Sequence, residues 1–209
     1  MGRWFVVSFL LVFLLFGVSN AIIGVGISLT KPIGEWSKDR FYGGPAYIFS
    51  GNFGSGHFSV VAPDIGYAML GQDKALQRYL LDKYHYVPEQ LKNVTSSIWF
   101  FGGGVKVRFS NNPYMTPYIM GIFEFYRRGI GFGNLTIPEW QNFGNIFYHY
   151  GPCIGFGVEV LPGKPVSIIG GMRWFYAKGI GTSELEKQYL GSEEVDAQFL
   201  VFSLGVDFF

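Results

Sequence analysis

The chain has 209 residues, a formal net charge of +1 and only 15% charged residues, against about 25% in an ordinary soluble domain. Hydrophobic residues reach 49% and aromatics 19%, with 30 glycines; the near-neutral balance and the lack of a basic patch exclude a nucleic-acid partner. Cys153 is the single cysteine, which excludes an internal disulfide.

Residues 1–21 read as a secretory signal peptide. Arg3 gives a positive start, Trp4 to Phe16 is an apolar run, and Ser19-Asn20-Ala21 offers a cleavage site. The run is shorter than the ~20 residues a spanning helix needs. Cleavage is expected after Ala21, which leaves residues 22–209 as one domain. No later stretch is long and apolar enough for a transmembrane helix.

The rest of the chain alternates with period two, the signature of strands with two unlike faces. In residues 22–30, Ile23, Val25, Ile27 and Leu29 alternate with Gly24, Gly26, Ser28 and Thr30. A loop at 31–44 leads to a strand at 45–53, with Tyr47, Phe49 and Phe53 on one parity. Gly54-Ser55-Gly56 marks a tight turn. The strand at 58–69 sets Val61, Ile65, Tyr67 and Met69 against Asp64 and Gly66. The connection at 70–94 holds Leu76, Tyr79, Leu80, Tyr84 and Val87 near helical spacing, which predicts a short amphipathic helix over 73–86 ended by Pro88.

The strand at 95–109 sets Trp99, Phe101, Val105, Val107 and Phe109 against Phe100, Gly102, Gly104, Lys106 and Arg108. After a tight turn, the strand at 114–126 alternates most weakly, because Tyr118, Met120 and Ile122 share the face of Glu124. A loop at 127–148 precedes the strand at 149–161, where Ile154, Phe156 and Val158 oppose Cys153, Gly155, Gly157 and Glu159. The strand at 166–176 sets Ile168, Met172, Trp174 and Tyr176 against Ser167, Gly171 and Arg173. A polar loop at 177–195, with Glu184, Glu186, Glu193 and Glu194, leads into the last strand, where Leu200, Phe202, Leu204, Val206 and Phe208 hold every second place.

Eight strands are joined by connections that alternate long and short. The expected fold is all-β: an eight-stranded antiparallel up-and-down transmembrane β-barrel with a short helix in its second external loop. A soluble ligand-binding barrel would also alternate, but its second face would meet water. Here that face is glycine and serine, which suits the crowded interior of a narrow barrel. With the first strand running outward, Tyr47, Tyr67, Trp99, Phe125, Tyr150, Trp174 and Tyr176 fall near the external rim on the apolar parity. Phe53, Phe109 and Phe208 fall near the periplasmic rim, with Phe209 at the end of the chain. Two aromatic belts are what the membrane interfaces favour.

On these features the chain resembles the small bacterial outer-membrane β-barrel family, the OmpA-, OmpX- and OmpW-type eight-stranded barrels, over residues 22–209. The resemblance implies residence in the bacterial outer membrane with both termini on the periplasmic side. It also implies contact with outer-membrane lipids, and insertion by the outer-membrane assembly machinery. In that family the terminal aromatic belongs to the lipid-facing series. Here the series ends at Phe208 and Phe209 is out of phase, so either a bulge near Gly205 shifts the register or Phe208 serves as the recognition aromatic.

Asp64, Lys106, Arg108, Glu124, Glu159, Arg173 and Asp207 all take the inward parity. They read either as a polar pore lining or as a salt-bridge network filling a closed barrel, and the narrow interior favours the second. Glu159 and Asp207 are expected to meet Lys106 and Arg108; Arg173 is expected to serve Glu124 or Asp64. The three histidines, His57, His85 and His149, are too dispersed for a metal motif, and His149 reads as a solvated rim residue. Gly102-Gly103-Gly104 lies inside a strand and reads as close packing or a bend. No cofactor or catalytic group is expected. The chain reads as a non-enzymatic barrel with a structural or surface-interaction role. Its long loops, 31–44, 70–94, 127–148 and 177–195, are the surfaces for any extracellular ligand. A narrow passage for small or apolar molecules is the alternative, and a lipid-modifying enzyme stands behind both.

Overall fold

The structure, a computed structural model, describes residues 21–34, 41–54, 56–132, 146–179 and 196–208. Residues 1–20, within the expected signal peptide, residues 35–40, 133–145 and 180–195 of the expected loops with the four glutamates, Ser55 and Phe209 lie outside the described residues. Eight strands form a closed antiparallel barrel: β1 (Ala21–Ile33), β2 (Gly44–Phe53), β3 (Phe58–Gln72), β4 (Thr95–Arg108), β5 (Met115–Gly131), β6 (Ile146–Val160), β7 (Val166–Gly179) and β8 (Ala197–Phe208). Each strand pairs with the next, and β8 returns to β1. Closure gives every strand a neighbour on both sides and leaves no sheet edge.

Several strands run further at the long-loop end than the apolar alternation predicts. β5 continues to Gly131 and β7 to Gly179, while β6 begins at Ile146. The ladder is a property of the backbone and continues where outward side chains become polar, as at Lys31, Arg127 and Lys178. Alternating hydrophobicity reports only the apolar band.

β3 carries a correction. Its register slips by one residue between Val61 and Asp64 against both β2 and β4. The extra residue falls at Ala62-Pro63, where proline has no N–H to give to a ladder. The slip reverses the parity below it. Val61, assigned from the sequence to the face of Ile65 and Tyr67, instead points inward and is buried beside Ser59. The last strand resolves the other way. β8 pairs with β1 and β7 in unbroken register to Phe208, so no bulge forms near Gly205.

In the second long connection lie two helices, α1 (Lys74–Tyr84) and α2 (Pro88–Leu91). Asp73 caps α1, its Oδ1 accepting from Leu76 N–H at 3.1 Å. His85 ends the helix in the left-handed conformation, its N–H donating to Leu81 C=O. Pro88, expected to end the helical run, instead opens α2, since a first-turn residue needs no N–H. Leu76, Leu80, Leu91 and Val94 bury themselves against Ile130 of β5, so the hairpin packs on the long-loop end of the barrel. At the opposite end His57 bridges two short turns: Nδ1–H donates to Arg108 C=O at 2.9 Å, and Asn111 Nδ2 donates to Nε2 at 3.1 Å.

Candidate functional site

The two faces of the barrel wall are chemically opposite. Outward side chains are apolar and exposed: Ile27 is 64% exposed, Leu29 67%, Leu204 59% and Phe156 54%. Every described inward charge is nearly or fully buried. The strongest filler is β5, whose pattern looked weakest in the sequence and whose burial alternates without a break from Met115 to Arg128. Tyr118, Met120, Ile122, Glu124 and Tyr126 all project from it into the lumen.

They fit because their neighbours are small. Gly102 and Gly104 of β4 face β5 so closely that a Cβ at Gly104 would lie 2.0 Å from Gly121 O. The Phe100 ring lies over Gly66, where a Cβ would be 1.9 Å from Phe100 Cζ. Phe100 then meets Phe175 with centroids 5.2 Å apart, and Phe175 meets Tyr126 at 6.3 Å. These rings occupy the middle of the barrel.

Toward the short-turn end is a compact charge cluster. Lys106 and Arg108 are two residues apart on β4, so both point inward. Lys106 Nζ donates to Glu159 Oε1 at 2.7 Å, and Arg108 Nε donates to Glu159 Oε2 at 2.7 Å. Arg108 Nη2 adds a third bond to Oε1 at 3.2 Å, and Nη1 reaches Ser59 Oγ at 3.2 Å. Glu159 reaches β4 from β6 across Thr116, its short-chained partner on β5. Asp207 comes within 3.9 Å of Lys106. Lys106 Nζ also stands 5.1 Å from the Tyr118 ring centroid, a cation–π contact.

Higher in the lumen Arg173 of β7 crosses to Asp64 of β3, Nη1 to Oδ2 at 2.6 Å. Of the two carboxylates expected near Arg173, Asp64 therefore takes the pair. Glu124 is fully buried, and among the described residues neither of its carboxyl oxygens has a hydrogen-bond partner. At the long-loop end Arg128 lies 3.8 Å from Asp73, the cap of α1. Sequence reasoning missed Arg128 because it placed that residue in a loop; a longer reading of the β5 alternation carries it to the inward face. His149, expected to be solvated, is buried on the inward face opposite Tyr126.

The aromatics assigned to the rims lie on the outward face. Tyr47 is 54% exposed, Trp99 50% and Phe125 56%. Tyr67 meets Trp99 with ring centroids 4.8 Å apart, Trp174 meets Tyr176 at 6.1 Å, and Tyr150 meets Phe123 at 6.1 Å, each pair tilted. Phe53 is half-buried, whereas Phe109 and Phe208 are exposed at the short-turn end. Cys153 is fully buried in the lumen. Among the described residues no three His, Cys, Asp or Glu side chains gather as metal ligands would.

Solved outer-membrane barrels share this architecture. Neisserial surface protein A (NspA) superposes with a TM-score of 0.58 at 13% identity, covering 92% of this chain and 98% of its own. Ail, the attachment invasion locus protein of Yersinia pestis, gives 0.47 at 10% identity, over 90% and 95%. OprG from Pseudomonas aeruginosa gives 0.42 at 8% identity, over 90% and 95%. No family model matches the sequence, and no curated protein matches it. At these identities the likeness is one of fold: the chain resembles the small eight-stranded outer-membrane barrels.

Proposed function

We propose that the chain is a non-enzymatic integral protein of the bacterial outer membrane with a structural or surface-interaction role. One observation carries the reading: apolar side chains cover the outer wall while the charges, most of them paired, are buried inside a packed lumen. In water that arrangement would leave a continuous exposed apolar band; in a bilayer it is the required one. The plugged interior argues against a passage, which leaves the long-loop end, capped by α1 and α2, as the surface for encounters with an external ligand. The likeness of fold to NspA, a surface protein by name, agrees with this.

On this reading both termini lie on the periplasmic side, residues 1–21 are removed on export, and the assembly machinery inserts the strands. Outer-membrane lipids contact the outward face, with Tyr47, Tyr67, Trp99, Phe125, Tyr150, Trp174, Tyr176, Phe208 and Phe209 at the interfaces. Planar-bilayer recording of the purified barrel tests the plugged lumen. Silence supports a structural or surface role. Steady, reproducible openings favour the narrow passage instead.

A further inference from the structure

The lumen is not filled evenly. β5 packs its side with large residues, whereas β1 and β8 present Gly24, Gly26, Ser203 and Gly205. Against them lies a cavity of about 40 Å³, lined by Ser50, Tyr118 and Ile169 and by two charged residues, Arg173 and Asp207. Gly24 sits between Ser50 on β2 and Asp207 on β8 in the ladder. A Cβ there would lie 2.4 Å from Asp207 Oδ1 and 2.9 Å from Ser50 Oγ, so both oxygens lean over the glycine.

Two buried charged groups bordering this space each keep one atom without a hydrogen-bond partner among the described residues. Asp207 is 1% exposed and its Oδ1 accepts no hydrogen bond; Arg173 is 7% exposed and its Nε–H donates none. A buried charged group left without a hydrogen bond is costly. The pair also defines what satisfies it. A bare anion meets the Asp207 carboxylate, a bare cation meets the Arg173 guanidinium, and an apolar occupant leaves both atoms without a hydrogen bond. The occupant must both donate and accept. A cavity of about 40 Å³ has room for about three to four waters at ~10–15 Å³ each.

We propose that this chamber is a built water site, with Asp207 Oδ1 and Arg173 Nε–H holding bound water between β1, β2, β7 and β8. The lumen is then dry on the β5 side and hydrated along the β1–β8 seam. This goes beyond the plugged reading, because bound water completes the polar network that direct ion pairs leave unfinished.

The test is proton NMR of the purified barrel in lipid nanodiscs, read at the arginine Nε–H signals. Loss of one signal in Arg173→Lys assigns it. The wild-type Arg173 Nε–H is expected to show a rotating-frame cross-peak to water with the sign of dipolar contact, not of exchange. Gly24→Ala puts a methyl into the chamber and is expected to abolish that peak while the barrel stays folded by heat-modifiable gel migration. Ser203→Val serves as the second filling variant if Gly24→Ala fails to fold. A wild-type Arg173 signal without a water contact overturns the proposal. So does an unchanged peak in a folded filling variant.

Discussion

Replacing Glu159 by Gln removes the charge that holds two cations. In the structure Glu159 accepts three hydrogen bonds, from Lys106 and Arg108, and among the described residues the only other carboxylate in reach is Asp207, 3.9 Å from Lys106. All three members are nearly or fully buried: Glu159 is 2% exposed, Lys106 3% and Arg108 8%. Breaking a buried pair from one side costs about 3–5 kcal/mol, and Glu159→Gln strands two cations, so it should sit toward the top of that range. Arg108→Met leaves Glu159 its bond to Lys106 and should cost less, about 1.5–3 kcal/mol, the scale of a charged hydrogen bond. In the double variant only Lys106 is left over, with Asp207 nearby. The combined loss should therefore fall short of the sum by about 1–3 kcal/mol, the coupling seen for residues in one network. The assay is reversible urea unfolding of the barrel in lipid vesicles for wild type, both single variants and the double. Additivity within about 0.5 kcal/mol would refute the claim that these groups act as one buried unit.

Three further outcomes follow from other parts of the molecule. Gly66→Val should displace the Phe100 ring from the place where a Cβ would meet it at 1.9 Å; a loss of about 1–3 kcal/mol in the same unfolding assay is expected from overpacking. Asp73→Ala removes both the α1 cap and the carboxylate beside Arg128. Faster amide exchange across Lys74–Tyr84 with unchanged strands is expected, at a cost of about 0.5–2 kcal/mol for the cap; protection equal to wild type would contradict the capping geometry. Mass spectrometry of the protein recovered from outer membranes should find Ile22 first, and an intact Met1 there would sink the export reading.

The architecture was legible because the strand period is two and the two faces differ so sharply in kind. Ile23, Val25, Ile27 and Leu29 against Gly24, Gly26, Ser28 and Thr30 is enough to orient β1. Alternation shows less where the interior itself is hydrophobic. β5 looked weak because Tyr118, Met120 and Ile122 are inward residues as apolar as the outward ones, although its burial is the most regular in the barrel. Pattern also cannot count an inserted residue. The slip at Ala62-Pro63 turned Val61 inward, and Pro63 was the one local sign of it. Partner choice lay beyond the pattern altogether. Parity placed Asp64, Glu124 and Arg173 inside, but which carboxylate meets the guanidinium depends on the cross-lumen distance between β3, β5 and β7. That distance gave the pair to Asp64 and left Glu124 without an ion pair among the described residues.

The central claim is that the apolar wall faces lipid. Single cysteines at Ile23, Phe49, Ile65, Phe101, Phe123, Phe156, Ile168 and Leu204, in a Cys153→Ala background, place a thiol on that wall, with Tyr42 and Tyr114 as exposed sites outside the strands. The barrel is assayed in intact outer membranes with a charged, water-soluble maleimide and with a lipid-soluble one. The account predicts that the wall thiols react only with the lipid-soluble reagent, while the two loop thiols react with both when the membranes are opened. Ready labelling of most wall positions by the charged reagent would show that this face meets water, and would contradict the account.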